Sequence, residues 1–347
     1  MELCAIANLC AGTGVCERGL PRGFVTIPRM RDIPEAARAL CRVTPLLRTP
    51  TLGCRLKLES LQRTGAVQLR GAALKLSRLA AVDRSAGVVA ASAGNQGLGL
   101  ACAGRKLGIP VRIVVPDSTP RCKREGISSF GGELIRHGAT AVEAEKVGRR
   151  VAALRDALYV SPCEDLDVIE GDGEWLGQEL LGQAGAISQI VVPMGHGGLA
   201  AGLAAAVCEE GIEVIGVQPE VHSAMSESLA CDRALTEYQG PRTACEELEG
   251  GVGWRSFRGV KQYVRRIVLV PERDILDGVA FAFQRLGLIV EPSAAVVLAA
   301  VCSGRLRVDE RTVLVITGGN LDGEVLQRCL SARVQAPSGV MAERRVG

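Results

Sequence analysis

At about 150 residues per domain, a chain of 347 residues holds roughly two domains. With 47% hydrophobic and 23% charged residues it can fill a full core, which excludes a disordered chain. Apolar runs such as Ile190 to Pro193 fall far short of a membrane span. The net charge is +3, with 41 basic against 38 acidic residues and 3% aromatics, so neither a basic stripe nor a stacking platform marks a nucleic-acid binder.

Only six basic residues are lysines: Lys57, Lys75, Lys106, Lys123, Lys146 and Lys261. Thirteen cysteines contain no Cys-x-x-Cys pair, and their odd number without a secretory signal reads as reduced thiols in a cytoplasmic protein. His137, His196 and His222 are too scattered to form a zinc set, and no metal is expected.

In chain order, residues 1–30 carry Gly and Pro clusters without periodicity and read as a loosely ordered lead-in. Ile33 to Val43 has helical spacing, Arg55 to Glu59 is strand-like, and Gly65 to Ala81 reads as a helix. Gly87 to Ala91 is a buried strand, Gly97 to Leu107 a helix and Val111 to Pro116 a strand. After a turn at Gly126 to Gly132 come a strand at Glu133 and a helix over Ala141 to Leu158. The second half repeats this alternation. Strands are predicted at Ile187 to Val192, Glu213 to Val217, Arg265 to Val270 and Thr312 to Ile316. Helices are predicted at Gly177 to Leu181, Leu199 to Glu210, Asp274 to Leu286, Ala294 to Cys302 and Asp322 to Leu330. Such alternation indicates an α/β fold with parallel-rich sheets covered by helices. The stretch 331–347 reads as a polar tail.

Three glycine-rich turns each follow a strand: Ala91 to Gly97, Pro193 to Leu199, and Ile316 to Asn320. In parallel sheets ligands gather at the carboxyl ends of strands, where glycines let backbone N–H groups converge on an anion. A tight βα turn without ligand is the plainer reading of each alone; three in one chain point to a ligand site.

Ten ordered segments together resemble the fold-type II pyridoxal-phosphate (PLP) enzymes, in their threonine/serine dehydratase (ammonia-lyase) and serine racemase branch. They are Thr44-Pro45-Leu46, Lys57-Leu58-Glu59, Gln62 to Gly65, Ser92 to Asn95 and Pro120 to Lys123, then Val168 to Gly171, the glycine loop at Gly195, Gly216 to Pro219, Val290 to Ser293 and Thr317 to Asn320. The resemblance implies a two-domain tryptophan synthase β-like fold, with 31–85 and 165–330 forming a large PLP-type domain and 86–164 a small inserted one. It implies that Gly195, His196, Gly197, Gly198 and Leu199 wrap the PLP phosphate, that Asn95 bonds the 3-hydroxyl and that Thr317 meets the pyridine nitrogen. Ser92, Ala93, Gly94 and Gln96 would hold the carboxylate of a small-molecule amino acid. A homodimer is also implied.

The chain departs from that pattern at the decisive position. Where the family reads Thr-Gly-Ser-Phe-Lys-x-Arg-Gly-Ala, this sequence reads Thr64-Gly65-Ala66-Val67-Gln68-Leu69-Arg70-Gly71-Ala72, so Gln68 replaces the Schiff-base lysine. An amide nitrogen is neither nucleophilic nor basic, and loss of a general base alone costs ~10²–10⁴ in rate. Lys75 is about 10 Å further along the same helix and no substitute. His196 replaces a glycine, with two readings: a tolerated side chain directed outward, or an altered phosphate pocket. Gln96 stands where the family usually has His. Ala93 matches the dehydratase form of the turn rather than the racemase form. Asp172 and Glu174 replace Gln and Thr. The expectation is a diverged dehydratase scaffold with PLP bound non-covalently or lost. The alternatives are an active amino-acid lyase and a non-catalytic ligand-binding or partner subunit.

Overall fold

A computed structural model of the protein describes residues 32–92 and 94–331; the lead-in at 1–30, Ala93 and nearly all of the tail lie outside the described residues. The chain opens with α1 (Glu35–Leu40), β1 (Leu46–Thr49), β2 (Cys54–Leu58), α2 (Leu69–Ser77) and α3 (Ala81–Ala86). There follow β3 (Val88–Ala91), α4 (Asn95–Leu107), β4 (Val111–Val115), α5 (Arg121–Ser129), β5 (Glu133–Arg136), α6 (Ala141–Leu154) and β6 (Leu158–Tyr159). Next are α7 (Leu166–Ile169), a π turn over Glu170–Glu174, α8 (Trp175–Gln183), β7 (Gln189–Pro193), α9 (Gly198–Val207) and β8 (Glu213–Pro219). The last elements are α10 (Ala224–Ala230), α11 (Trp254–Tyr263), β9 (Arg266–Val270), α12 (Glu272–Leu286), α13 (Pro292–Cys302), β10 (Thr312–Ile316) and α14 (Gly323–Ser331).

Two sheets organise these elements. Six strands lie in the order β1-β2-β10-β7-β8-β9 and four in the order β5-β4-β3-β6. Every pairing is parallel except β1 with β2, because the short turn between Thr49 and Cys54 leaves the chain only an antiparallel return. Helices cover both faces of each sheet. On the larger sheet α12 and α13 share a core with Leu314 and Ile316, while α8, α9 and α11 pack opposite around Val313 and Val315. Helix α13 is apolar on every side and buried from Pro292 to Ala300, as its sequence requires. Strands β3 to β6 fall within 86–164, yet α1 and α2 also bury Ala37, Leu40, Ala73 and Leu76 in the core of that four-stranded sheet.

Several elements differ from the sequence-based expectation. The helix read over 141–158 stops at Leu154; Asp156 turns left-handed at φ 48°, and Leu158–Tyr159 joins β3 as a strand. Arg121–Ser129 is a helix although Gly126 suggested a turn: a Cβ at Gly126 would stand 2.4 Å from Leu98 Cδ2, so the glycine serves close packing of α5 on α4. Strand β2 is buried at all five positions but is not apolar throughout, since Lys57 pairs there with Glu179 at 2.5 Å. No helix among the described residues is long and apolar enough to cross a membrane.

Candidate active site

A cavity of about 430 Å³ opens where the carboxyl ends of β3, β7 and β10 face one another. Gln68, Ser92, Gln96, Gly195, His196, Gly197, Gly198, Leu199 and Thr317 all line it. Its size lies within the range of small-molecule sites.

Gln68 reaches the cavity through a tertiary clasp. Val67 N–H donates to Thr317 O at 2.9 Å and Gly319 N–H to Gly65 O at 3.0 Å, so 65–67 lies alongside 317–319. Gln68 then begins α2 as its N-cap. Its Oε1 is buried and finds no hydrogen-bond partner among the described residues.

The glycine loop precedes α9. Gly197 adopts φ 92°, and a Cβ there would stand 2.3 Å from Met225 Cε, so only glycine fits. The first N–H groups of a helix have no carbonyl behind them and carry partial positive charge, which makes this end of α9 a cradle for a phosphate. His196 leaves that cradle open in part: its Nδ1 lies 2.8 Å from Gly251 O, a contact that ties the ring to the neighbouring loop.

At β3 the Ser92 hydroxyl accepts from Gly94 N–H at 3.0 Å and Gly97 N–H at 3.2 Å, fixing the entry to α4. Gln96 is 5% exposed, and neither its Oε1 nor its Nε2 has a partner among the described residues. Asn95 and Gly94 are not among the residues that line the cavity. The Asn95 amide donates to Glu291 at 2.7 Å and accepts from Asn320 at 2.9 Å, so the side chain to which the resemblance gives a cofactor hydroxyl is engaged within the protein. Ala93 lies outside the described residues.

Three acidic groups that carried no role in the sequence reading shape the floor. Lys123 on α5 is fully buried under Gly94 and holds Glu246 at 2.8 Å, Glu247 at 2.8 Å and Glu291 at 3.0 Å. Burial works against its charge, but the three carboxylates outweigh it and hold the ammonium well above the usual lysine range. Burial together with the neighbouring Glu247 and Glu246 pushes the Glu291 carboxyl up to about 7, against the pull of Lys123. Glu247 Oε1 also accepts from Asn95 N–H at 2.9 Å, so a carboxylate of the chain itself sits on the first amide of α4. No sequence pattern signals this cage, because its members come from three separate segments.

Asp172, a departure noted in the sequence, faces the same cavity. Its Oδ1 accepts from Gly71 N–H at 2.7 Å in the first turn of α2, the turn that Gln68 caps. Burial pushes its carboxyl up to about 7, while the Gly71 N–H and Arg70 pull it down and Glu59 pushes it up. Arg70 is itself fully buried and bonds Glu59 and Glu179 at 2.8 Å.

The described lysines leave no amine at the cavity centre. Lys57 and Lys123 are bound in buried carboxylate clusters, and Lys75 pairs with Asp165 at 2.8 Å. Lys146 borders the cavity from α6, with a side chain 66% exposed and 3.8 Å from Glu237. The start of α9 therefore fits the phosphate of a PLP-type group, while Lys146 alone among the described lysines lines the cavity.

Comparison with known proteins agrees with this geometry. Residues 38–318 match the family described as "Pyridoxal-phosphate dependent enzyme". The chain is 34% identical over 313 residues to the L-threonine ammonia-lyase of Thermotoga maritima, covering 87% of this chain and 78% of that protein. Among solved structures, the processed form of threonine deaminase isoform 2 from Solanum lycopersicum superposes with a TM-score of 0.78 at 27% identity, over 85% of this chain and 89% of that one. Maize serine racemase gives 0.77 at 28% identity, over 85% and 94%.

Proposed function

Because this chain belongs to the pyridoxal-phosphate dependent enzymes, with the α/β architecture of fold type II, we propose that its cavity binds a PLP-type cofactor non-covalently and that lysine-dependent ammonia-lyase chemistry is lost or altered. The observation that carries this reading is Gln68, brought to the cavity beside the Val67 N–H to Thr317 O bond, at the position where the resemblance puts the family's lysine. When bound, PLP withdraws electrons from Cα of an amino acid, and the reaction needs an amine to accept the Cα proton. Gln68 can orient a ligand through its amide but cannot move that proton. The N-terminus of α9 with Gly195, Gly197 and Gly198 would hold the phosphate, and Thr317 would offer its hydroxyl to the ring nitrogen. Ser92 and Gln96 would face the bound amino acid. The reading keeps a cytoplasmic homodimer, to be checked by sedimentation, and the division of the chain into 31–85 with 165–330 and 86–164.

The test combines covalent trapping with turnover. The purified chain is incubated with PLP, treated with borohydride and weighed by mass spectrometry, and L-threonine or L-serine is assayed for 2-oxo acid and ammonia. The wild-type chain should gain no pyridoxyl mass at a single lysine and release no 2-oxo acid. Gln68→Lys should gain that mass at position 68; if it also needs His196→Gly, the phosphate end has changed as well. A single trapped lysine with ammonia release in the wild-type chain overturns the reading.

A further inference from the structure

The polar atoms left without partners in the cavity carry a chemical signature. Gln68 Oε1 is a buried acceptor without a donor among the described residues, and Gln96, more than nine-tenths buried, has neither its Oε1 nor its Nε2 partnered there. Asp172 adds a carboxylate to the wall, bonded to Gly71 N–H in the helix turn that Gln68 caps. In the family pattern this region holds a lysine amine; here it holds acceptors and a carboxylate in its place. Buried acceptors left unmatched weaken a structure until something supplies their hydrogen bonds. A site that has exchanged its own cation for acceptors is complementary to a ligand that brings the cation with it.

We propose that the cavity selects the amine form of the cofactor, a pyridine phosphate with a protonated aminomethyl group, over the aldehyde. This rests on the PLP-type reading of the site and specifies its ligand. Pyridoxamine 5'-phosphate has that chemistry: its ammonium donates three N–H bonds where the aldehyde offers only an acceptor. An acceptor facing Gln68 Oε1 and Asp172 would be opposed by both, while the Gln96 amide, with both of its polar atoms unpartnered, can meet either kind of group. Asp172, pushed toward neutrality by burial, regains its charge beside an ammonium. The amine can be the free aminomethyl group or the secondary amine of an amino-acid adduct. The free form is favoured because Glu247 already occupies the Asn95 N–H at the start of α4, the place an adduct's carboxylate would need.

The experiment is a calorimetric binding series on the full-length wild-type chain. Pyridoxamine, pyridoxine and pyridoxal 5'-phosphates share ring and phosphate and differ only in an amine, an alcohol or an aldehyde. The amine is expected to bind at least about tenfold tighter than the other two, as one charge-assisted hydrogen bond would give. Asp172→Asn keeps an acceptor for Gly71 N–H and should reduce that preference to about threefold or less. A phosphopyridoxyl-L-serine that binds tighter than pyridoxamine phosphate would keep the amine and identify its source as an adduct. Equal or tighter binding of the aldehyde or alcohol overturns the amine preference while the cofactor reading stands. Full preference retained in Asp172→Asn overturns the part given to that carboxylate. Absence of binding by every phosphate in the series overturns the cofactor reading itself.

Discussion

Replacing Lys123 by methionine removes the one cation in a cage of three carboxylates without much change in volume. Lys123 has no exposure, and the side chains of Glu246, Glu247 and Glu291 are 21%, 9% and 2% exposed. Taking away one partner of a buried pair costs ~3–5 kcal/mol, because the other charge is left buried and uncompensated. Here three charges are left, so the upper part of that range applies, and the melting temperature should fall by about 6–10 °C. The loss must also depend on pH. Burial already pushes the Glu291 carboxyl up to about 7, and without Lys123 nothing pulls against that rise, so the native state takes up a proton more readily as pH falls. The stabilising contribution of the protonated carboxyl is present below the unfolded value and lost as pH rises through the folded value, which puts the largest penalty on the alkaline side. Urea denaturation of wild type and Lys123→Met at pH 8 and pH 5.5 measures both effects. A penalty under about 1 kcal/mol at pH 8, or one equal at the two pH values, would refute an ionised cage under the Asn95 turn.

Two further perturbations test the cavity walls. Gly197→Ala forces a Cβ to 2.3 Å from Met225 Cε at φ 92°, so it should cost ~1–3 kcal/mol and abolish the thermal shift given by pyridoxine 5'-phosphate. An unchanged shift would move the phosphate site away from α9. Asp172, with its folded value near 7, contributes stability that is fully present below the unfolded carboxyl range and lost as pH rises toward 7. Asp172→Asn escapes that loss and should gain roughly 2 kcal/mol on wild type between pH 5 and pH 8, measured by urea denaturation in both buffers. A constant difference between the variants would mean that Asp172, beside Arg70 and Glu59, is ionised throughout.

What the sequence determined by itself was local or periodic. Apolar runs alternating with helical spacing give parallel sheets because a strand buried on both faces has no polar side to show. Glycines at 195, 197 and 198 after a strand pointed to an anion site, and Gly197 does turn at φ 92°, where a side chain is strained. The identity of position 68 follows from its neighbours Thr64-Gly65 and Arg70-Gly71-Ala72. The tertiary structure alone decided the rest. Pairing to Gly87 and Val89 drew Leu158 and Tyr159 out of a helical pattern into β6. Glu291 claimed the Asn95 amide, Glu247 claimed the first amide of α4, and Lys123 gathered both with Glu246. Asp172 came to line the same cavity as Gln68 because Gly71 and Gly171 let α2 and the π turn pack closely; a Cβ at Gly171 would stand 2.6 Å from Gly71 Cα. The side-chain partners stand more than a hundred residues apart in the chain, as Gly71 with Asp172 at 101 and Asn95 with Glu291 at 196. Charge and hydrogen bonding act through space over a few ångströms, and at such separations no periodicity along the chain encodes which groups will meet.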